Sequence, residues 1–135
     1  MDEAKCKSLK EELGAQSQPP VVPIQQFFDG NDDTASIGCN LPEHPGMETF
    51  RDILTGLLKR PDVDAVYAQI AEIDPGEGYW PFTDTIFVVG GIAVEALHEA
   101  LAPLEPDDVW VGDDSNIPLA IRLEHKGRAM VAWWD

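Results

Sequence analysis

The sequence predicts an α+β domain of the ferredoxin-like βαββαβ class, with a four-stranded antiparallel sheet and two helices on one face. Two observations lead to this prediction. The main segments with strand or helix periodicity follow one another in the order β, α, β, β, α, β. The chain has 135 residues, enough to bury one core without disulfides or a structural metal. We therefore expect one domain, with a short helix before the first strand and an insertion before the last.

The domain is predicted to begin after residue 20. Residues 1–20 carry few apolar side chains and end in a proline pair, so we expect a mobile N-terminal arm there and a single domain over 21–135. After Pro23 the apolar residues have helical spacing, which predicts a short helix that docks on the core and ends at Gly30. The apolar residues of this helix are Ile24, Phe27 and Phe28.

One strand and one long helix are predicted next. Residues 36–41 alternate between apolar and small or polar side chains, which is the period of a half-buried strand. The helix begins at Pro45, carries Glu48 in its first turn and ends before Pro61. Its apolar residues follow the i, i+3, i+4, i+7, i+8 rule and are Phe50, Ile53, Leu54, Leu57 and Leu58.

The second half of the chain supplies the remaining elements. Residues 65–73 alternate as a strand and lead through the turn DPGEG to a second strand over 83–89. A glycine pair then precedes a helix whose apolar face runs from Val94 to Leu101. The insertion 104–127 is expected to contain a minor strand or hairpin at the segment LAIRLEH, and 128–135 reads as a strand rich in β-forming residues.

The charge of the chain limits its partners. With 25 acidic and 9 basic residues, the formal net charge is −16. Such a charge repels nucleic acid and anionic lipid and attracts basic proteins, so we expect no nucleic acid and no membrane as partner. The alternative is that the acidic surface only keeps the protein soluble. No apolar run is long enough to span a bilayer and the N-terminus lacks a signal peptide, so a cytoplasmic location is expected.

The loop after the first short helix partly resembles a calcium site. Asp29, Asn31 and Asp33 have the alternate spacing of calcium ligands, but Thr34 replaces the required glycine and Asn40 replaces the closing acid. We therefore expect no metal there, and interpret Asn31, Asp32 and Asp33 chiefly as caps of backbone N–H groups in a turn. The three histidines lack zinc spacing and the glycine pair lacks a nucleotide-binding motif, so no cofactor is predicted.

Cys39 is the one candidate nucleophile with a neighbouring base in the sequence. His44 follows five residues later, just before a helix N-terminus that would stabilise a thiolate. However, Cys39 shares the alternating face of Ile37 and Leu41, which favours a small buried side chain. Without a secretory signal, Cys6 and Cys39 are expected to be free thiols.

The four tryptophans are candidate contact residues. Trp80 precedes a proline in a turn, and Trp110 lies in the insertion among acids. Trp133 and Trp134 must face opposite sides of the last strand, so at least one of them should lie outside the main core. Aromatic side chains with acidic neighbours have the composition of a protein interface, although the core could also bury them.

Two hypotheses about function follow. The first is a non-enzymatic protein-binding or regulatory module that engages a basic partner, for example as an immunity protein. The alternative is an enzyme or small-ligand binder whose pocket lies where the loop 29–40 meets the sheet. The candidate binding residues are Asn31, Asp32, Asp33, Cys39, Asn40, Trp80, Trp110 and Trp133. A homo-oligomer paired through an edge strand at 128–134 is a third possibility.

Four segments together resemble a family of small acidic bacterial proteins of unknown function. These are FFDGNDDTASIGCNLPEHPG at 27–46, RPDV at 60–63, WPFTD at 80–84 and the terminal WWD at 133–135. The family pattern is FF, an acid, GN and D, followed by SIGCNL and HPG. The resemblance implies one domain that begins near residue 22, and it implies no activity.

Overall fold

Five strands form one sheet in the computed structural model, which describes residues 1–135. The strands are β1 (Val21–Pro23), β2 (Val63–Glu72), β3 (Phe82–Gly90), β4 (Asp108–Val111) and β5 (Ala129–Trp133). Their spatial order is β1-β2-β3-β5-β4, and every neighbouring pair is antiparallel. The edges of the sheet are therefore β1 and β4, while β5 is paired on both sides.

Five helices accompany the sheet. They are α1 (Glu3–Gly14), α2 (Ile24–Phe28), α3 (Met47–Gly56), α4 (Val94–Leu101) and α5 (Leu119–Glu124). A 3-10 turn continues α3 over Leu57–Lys59, and another continues α4 over Ala102–Leu104. No helix combines the length and the apolar character needed to cross a bilayer.

The α+β class is confirmed, but the four-stranded sheet is wrong and the ferredoxin-like order is not confirmed. Residues 36–41 form turns instead of the first strand. Gly38 has φ +65°, which breaks an extended chain, and a Cβ at this position would collide with the ring of Phe50. The first strand is β1, whose three residues are too few to show a period in the sequence.

The insertion before the last strand also differs from its prediction. Its residues 108–111 form the edge strand β4, and the segment predicted as a strand or hairpin is the helix α5. Leu119, Ile121 and Leu123 alternate along the chain, yet only Ile121 is buried. A helix of six residues is too short to show the 3.6-residue period that distinguishes it from a strand.

The main core lies on one face of the sheet, where α1 to α4 contribute buried side chains. The arm predicted to be mobile contains α1, and its side chains Cys6, Leu9 and Leu13 belong to this core. Asp2 caps the helix through a hydrogen bond from the Lys5 main-chain nitrogen. The boundary predicted at residue 21 therefore divides residues that share one core.

The opposite face of the sheet carries a smaller apolar cluster. Ile121 of α5 packs there against Phe87, Val89 and Val131. Tyr67 of β2 anchors the end of α5, because its hydroxyl lies 2.8 Å from Nε2 of His125. Burial, helped by nearby Glu124, raises the pKa of the Tyr67 hydroxyl. We call this side of the sheet the second face; α5 covers only part of it.

Candidate functional site

The loop 29–33 is held by its own side chains. Asn31 is buried, and its Nδ2 donates to the Phe27 carbonyl at 3.3 Å and to Ser36 Oγ at 3.1 Å. Its Oδ1 accepts the main-chain N–H of Asp33 at 2.9 Å. Every polar atom of the Asn31 side chain therefore bonds within the protein, which is the turn-capping role the sequence indicated.

The two aspartates that follow Asn31 have different environments. Asp33 Oδ1 accepts the Ala35 N–H at 2.9 Å, and its Oδ2 accepts the Trp80 N–H at the same distance. Asp32 points outward, with 77% of its side chain exposed and its Oδ1 3.0 Å from the amine of Met1. Both carboxylate oxygens of Asp33 thus bond to main-chain N–H groups, while the Asp32 carboxylate faces solvent.

A surface pocket of about 320 Å³ lies where this loop meets the β2–β3 connection. Three of the predicted site residues meet there, namely Asp33, Cys39 and Trp80. The other lining residues are Ala35, Glu72, Pro75, Tyr79 and Phe82. No group of three or more His, Cys, Asp or Glu side chains is arranged to hold a metal ion.

Cys39 is exposed at this pocket, so the prediction that it is buried is wrong. The turn at Gly38 ends the alternation that placed Cys39 beside Ile37. His44 is not its base, because both ring nitrogens are bonded elsewhere. Nδ1 accepts the Gly46 N–H at 3.0 Å, so Nε2 carries the ring proton and donates a hydrogen bond to the Ile37 carbonyl at 2.8 Å. The thiol therefore has solvent access without this partner.

Trp80 forms the buried wall of the pocket. Its side chain is only 1% exposed and belongs to the main core, so it is not a surface anchor. The indole Nε1 has no hydrogen-bond partner within the protein. A buried donor left unpaired costs free energy, so the unpaired indole N–H of Trp80 lowers the free energy of unfolding.

Trp110 and Trp133 come together on the second face. In the β4–β5 pair, Trp110 is opposite Val131 and Asp108 is opposite Trp133. Residues two apart on a strand share a face, so both indoles lie on the side of Val131. Both are partly exposed, whereas Trp134 is buried and donates from Nε1 to the Leu104 carbonyl at 2.8 Å. The prediction that one of the terminal tryptophans lies outside the main core is confirmed.

Acidic residues from three segments meet the main chain at Trp133 and its neighbours. Its carbonyl accepts the Asp107 N–H at 2.8 Å, and Asp107 Oδ2 accepts the Asp135 N–H at 2.6 Å. Across the sheet, the Asp84 carbonyl accepts the Trp134 N–H at 2.9 Å. The residues Asp84, Asp107, Asp108 and Asp135 are named the acidic corner.

The acidic corner is not neutralised within the protein. The six salt bridges involve other acids, and none reaches these four carboxylates. Asn40 also belongs to this region, because its Nδ2 donates to the main-chain oxygen of Asp135 at 2.9 Å. Asn40 does not line the pocket of Asp33, Cys39 and Trp80, with which the sequence grouped it.

Sequence reasoning missed the acidic corner because its members are distant along the chain. A signal was present in the acids that flank two strands, PDD before β4 and WWD at the end of β5. Only the pairing of β4 with β5 brings these acids together. The sequence did not predict that pairing.

Comparison with known proteins gives one match. The model of the uncharacterised YfbO protein family matches residues 4–129. No curated protein and no solved structure matches the chain.

Proposed function

The chain belongs to the uncharacterised YfbO family, and we propose that it is a non-enzymatic binding module for a basic protein. The observation that carries this proposal is the pairing of Asp108 with Trp133 across β4 and β5, which sets an aromatic side chain beside a carboxylate that no salt bridge neutralises. Neutralisation of a basic toxin is one form that such binding takes.

The second face has the composition of a protein interface. Trp110 and Trp133 offer large apolar area with little conformational entropy to lose. Asp108 shares this face, and the other members of the acidic corner add negative charge at the same end of the sheet, which attracts lysine and arginine. The net charge of −16 adds a long-range attraction for any basic partner. Together these features support a cationic protein surface as ligand.

Chemistry by the protein itself has less support. Cys39 has no base in His44, and Asp33 uses both carboxylate oxygens in the fold. A thiol enzyme needs a base or a positive charge next to the sulfur. His44 does not serve in this way, and no His, Lys or Arg lines the pocket beside Cys39.

Affinity capture tests the proposal. A native lysate is passed over the immobilised protein, and the retained proteins are eluted by a salt gradient. The test variant Asp84→Asn/Asp108→Asn removes two charges from the acidic corner and keeps an acceptor oxygen on each side chain. The control Glu3→Gln/Glu11→Gln removes two charges from exposed positions of α1. We expect wild type and the control to retain a basic protein that the test variant does not retain. This protein should elute as the salt concentration rises.

The binding proposal fails if the test variant retains the same proteins as wild type. It also fails if the retained protein elutes independently of salt, because contacts among exposed charges weaken as salt rises. Correct folding of each variant is checked by thermal unfolding before capture.

A second candidate function is small-ligand binding at the pocket by Cys39. Its volume of about 320 Å³ is in the range of ligand sites, and Tyr79 and Phe82 supply aromatic surface above the buried Trp80. A fragment screen by NMR tests it, with protein carbamidomethylated at Cys39 as control. We expect a true ligand to shift the signals of these aromatics and to lose binding after alkylation. If no fragment shifts these signals, this candidate is rejected.

A further inference from the structure

We propose that the free edge of β4 is a docking site where an extended basic segment of the partner adds as a sixth strand. This inference rests on the proposed function, since it names how the basic protein binds. Four observations carry it: the closure of the opposite edge, the open main-chain groups of β4, a groove beside β4, and the charges around that groove.

The edge at β1 is closed by a side chain and a proline. Gln16 Oε1 accepts the Val21 N–H at 3.1 Å, and Gln16 Nε2 donates to the Val21 carbonyl at 3.0 Å. The amide thus occupies both outward main-chain groups of Val21, as a neighbouring strand would. Pro23 has no N–H to offer. No further strand can pair at β1 without displacing Gln16.

The edge at β4 lacks an equivalent closure. Gly112 donates its N–H to the Ala129 carbonyl at 2.8 Å, so by the alternation of an antiparallel ladder the N–H and carbonyl of Val111 point away from β5. Neither a turn nor a side chain bonds to them. The main-chain N–H and carbonyl of Val109 also point away from β5. The N–H is covered only by Oδ1 of the adjacent Asp108 at 2.9 Å. An incoming carbonyl could replace this local contact.

A groove runs beside the open edge. It has a volume of about 390 Å³ and lies between Val109 and the outer side of α4. Val94, Glu95, His98 and Glu99 form its α4 wall. A strand added to β4 would place alternate side chains in this groove and the others on the second face, beside Asp108 and Trp110.

The charges on both sides of the edge favour a basic occupant. Glu95 and Glu99 flank the groove, and Asp108 belongs to the acidic corner; none of them forms a salt bridge. Trp110 adds a ring face on which a lysine or arginine can stack. A second copy of the chain would bring another charge of −16 to the same edge, so self-pairing is disfavoured.

The probe is a short peptide in which lysine and threonine alternate, and its matched control carries glutamate in place of lysine. Binding is measured by NMR titration against wild type, Val111→Pro and Val111→Thr. Proline removes the outward N–H without breaking the β4–β5 ladder, because this N–H is not part of it. Threonine keeps the N–H and the β-branched shape, and so serves as the control variant.

We expect the lysine peptide to bind wild type and Val111→Thr alike, and to bind Val111→Pro about tenfold more weakly. At saturation, hydrogen exchange of the Val109 and Val111 amides should slow, while that of Val21 stays unchanged. If Val111→Pro does not fold, the exchange measurement on wild type decides the question.

Four outcomes overturn strand addition. Equal binding by both Val111 variants, with weaker binding by Asp84→Asn/Asp108→Asn, means that the peptide binds at the acidic corner and does not pair with the edge. Failure of the peptide to bind while affinity capture succeeds means that the partner binds in another mode. A concentration-dependent dimer of wild type that Val111→Pro abolishes assigns the edge to a second copy. Failure of both capture and peptide binding rejects the proposed function as well.

Discussion

Asp33 Oδ2 accepts the main-chain N–H of Trp80 at 2.9 Å, a bond that joins residues 47 positions apart in the chain. The other carboxylate oxygen caps the turn at Ala35. One side chain thus fixes the loop 29–33 to the β2–β3 connection, and it shapes the pocket beside Cys39. Its neighbour Asp32 has the same charge and none of these bonds to main-chain N–H groups. A comparison of substitutions at Asp32 and Asp33 therefore separates the structural role of one aspartate from the surface position of the other.

Asp33→Asn should destabilise the protein by about 2 kcal/mol, because the amide has one acceptor oxygen and would leave the N–H of either Ala35 or Trp80 unpaired. Asp32→Asn should change the free energy of unfolding by less than about 0.5 kcal/mol, since its carboxylate is exposed. Urea denaturation of the two variants measures both values. Equal effects of the two substitutions would contradict the structural role of Asp33.

Gln16→Glu should destabilise the protein by about 1 kcal/mol, because a carboxylate loses the bond to the Val21 carbonyl and is repelled by it. The same change at Gln25, an exposed helix position without side-chain hydrogen bonds, is the control and should have little effect. Urea denaturation again gives the comparison. A neutral result at Gln16 would mean that water replaces its amide at the β1 edge without cost.

Long periodic elements were predictable from the sequence. The helix α3 repeats its apolar residues over three turns, and β2, β3 and β5 are rich in β-branched and aromatic residues, so the prediction of these elements is confirmed. The sequence did not predict that α1 packs on the core. Its three buried residues, Cys6, Leu9 and Leu13, lie in a segment where most residues are polar or charged. Its burial depends on tertiary packing, which outweighs local composition.

The candidate site was predictable only where it is local. The loop 29–40 and Trp80 do line one pocket, as the second hypothesis expected. The pairing of Trp110 with the Trp133 region depends on β5 lying between β3 and β4, and short strands do not reveal their neighbours in a sequence. For the same reason, self-association through 128–134 as an edge strand was expected, whereas β5 is paired on both sides.

Docking of α1 should be visible in the titration of Asp74. Lys10 Nζ lies 2.9 Å from Asp74 Oδ1, and this hydrogen bond together with the positive charge lowers the pKa of the carboxyl below its ordinary value of 3.8. The resulting stability is present above the ordinary value and is lost as pH falls through the lower folded value. Lys10→Gln should return the pKa toward 3.8 and remove this acid dependence.

Carboxyl NMR of Asp74 between about pH 2 and 6 measures this pKa. Lys7→Gln is the control, because Lys7 is exposed beside the same surface and forms no salt bridge. An Asp74 that titrates at its ordinary value in wild type would contradict the Lys10–Asp74 bond, and with it this contact between α1 and the β2–β3 connection.

The two cysteines should react with iodoacetamide at very different rates near neutral pH. Burial raises the pKa of the Cys6 thiol, and its Sγ donates to the Tyr79 carbonyl at 3.5 Å, so alkylation must await local opening of α1. Cys39 is exposed, and we expect it to react about 100-fold faster or more.

Mass spectrometry of peptides after timed alkylation gives both rates, with a Cys39→Ser variant and a fully denatured sample as references. Cys6 reacting as fast as Cys39 in the native protein would mean that α1 does not protect it. The absolute rate at Cys39 tests whether the protein uses this thiol for chemistry. A rate equal to that of the denatured chain fits a thiol without a base, whereas a much higher rate would reveal an activated nucleophile and favour an enzyme over a binding module.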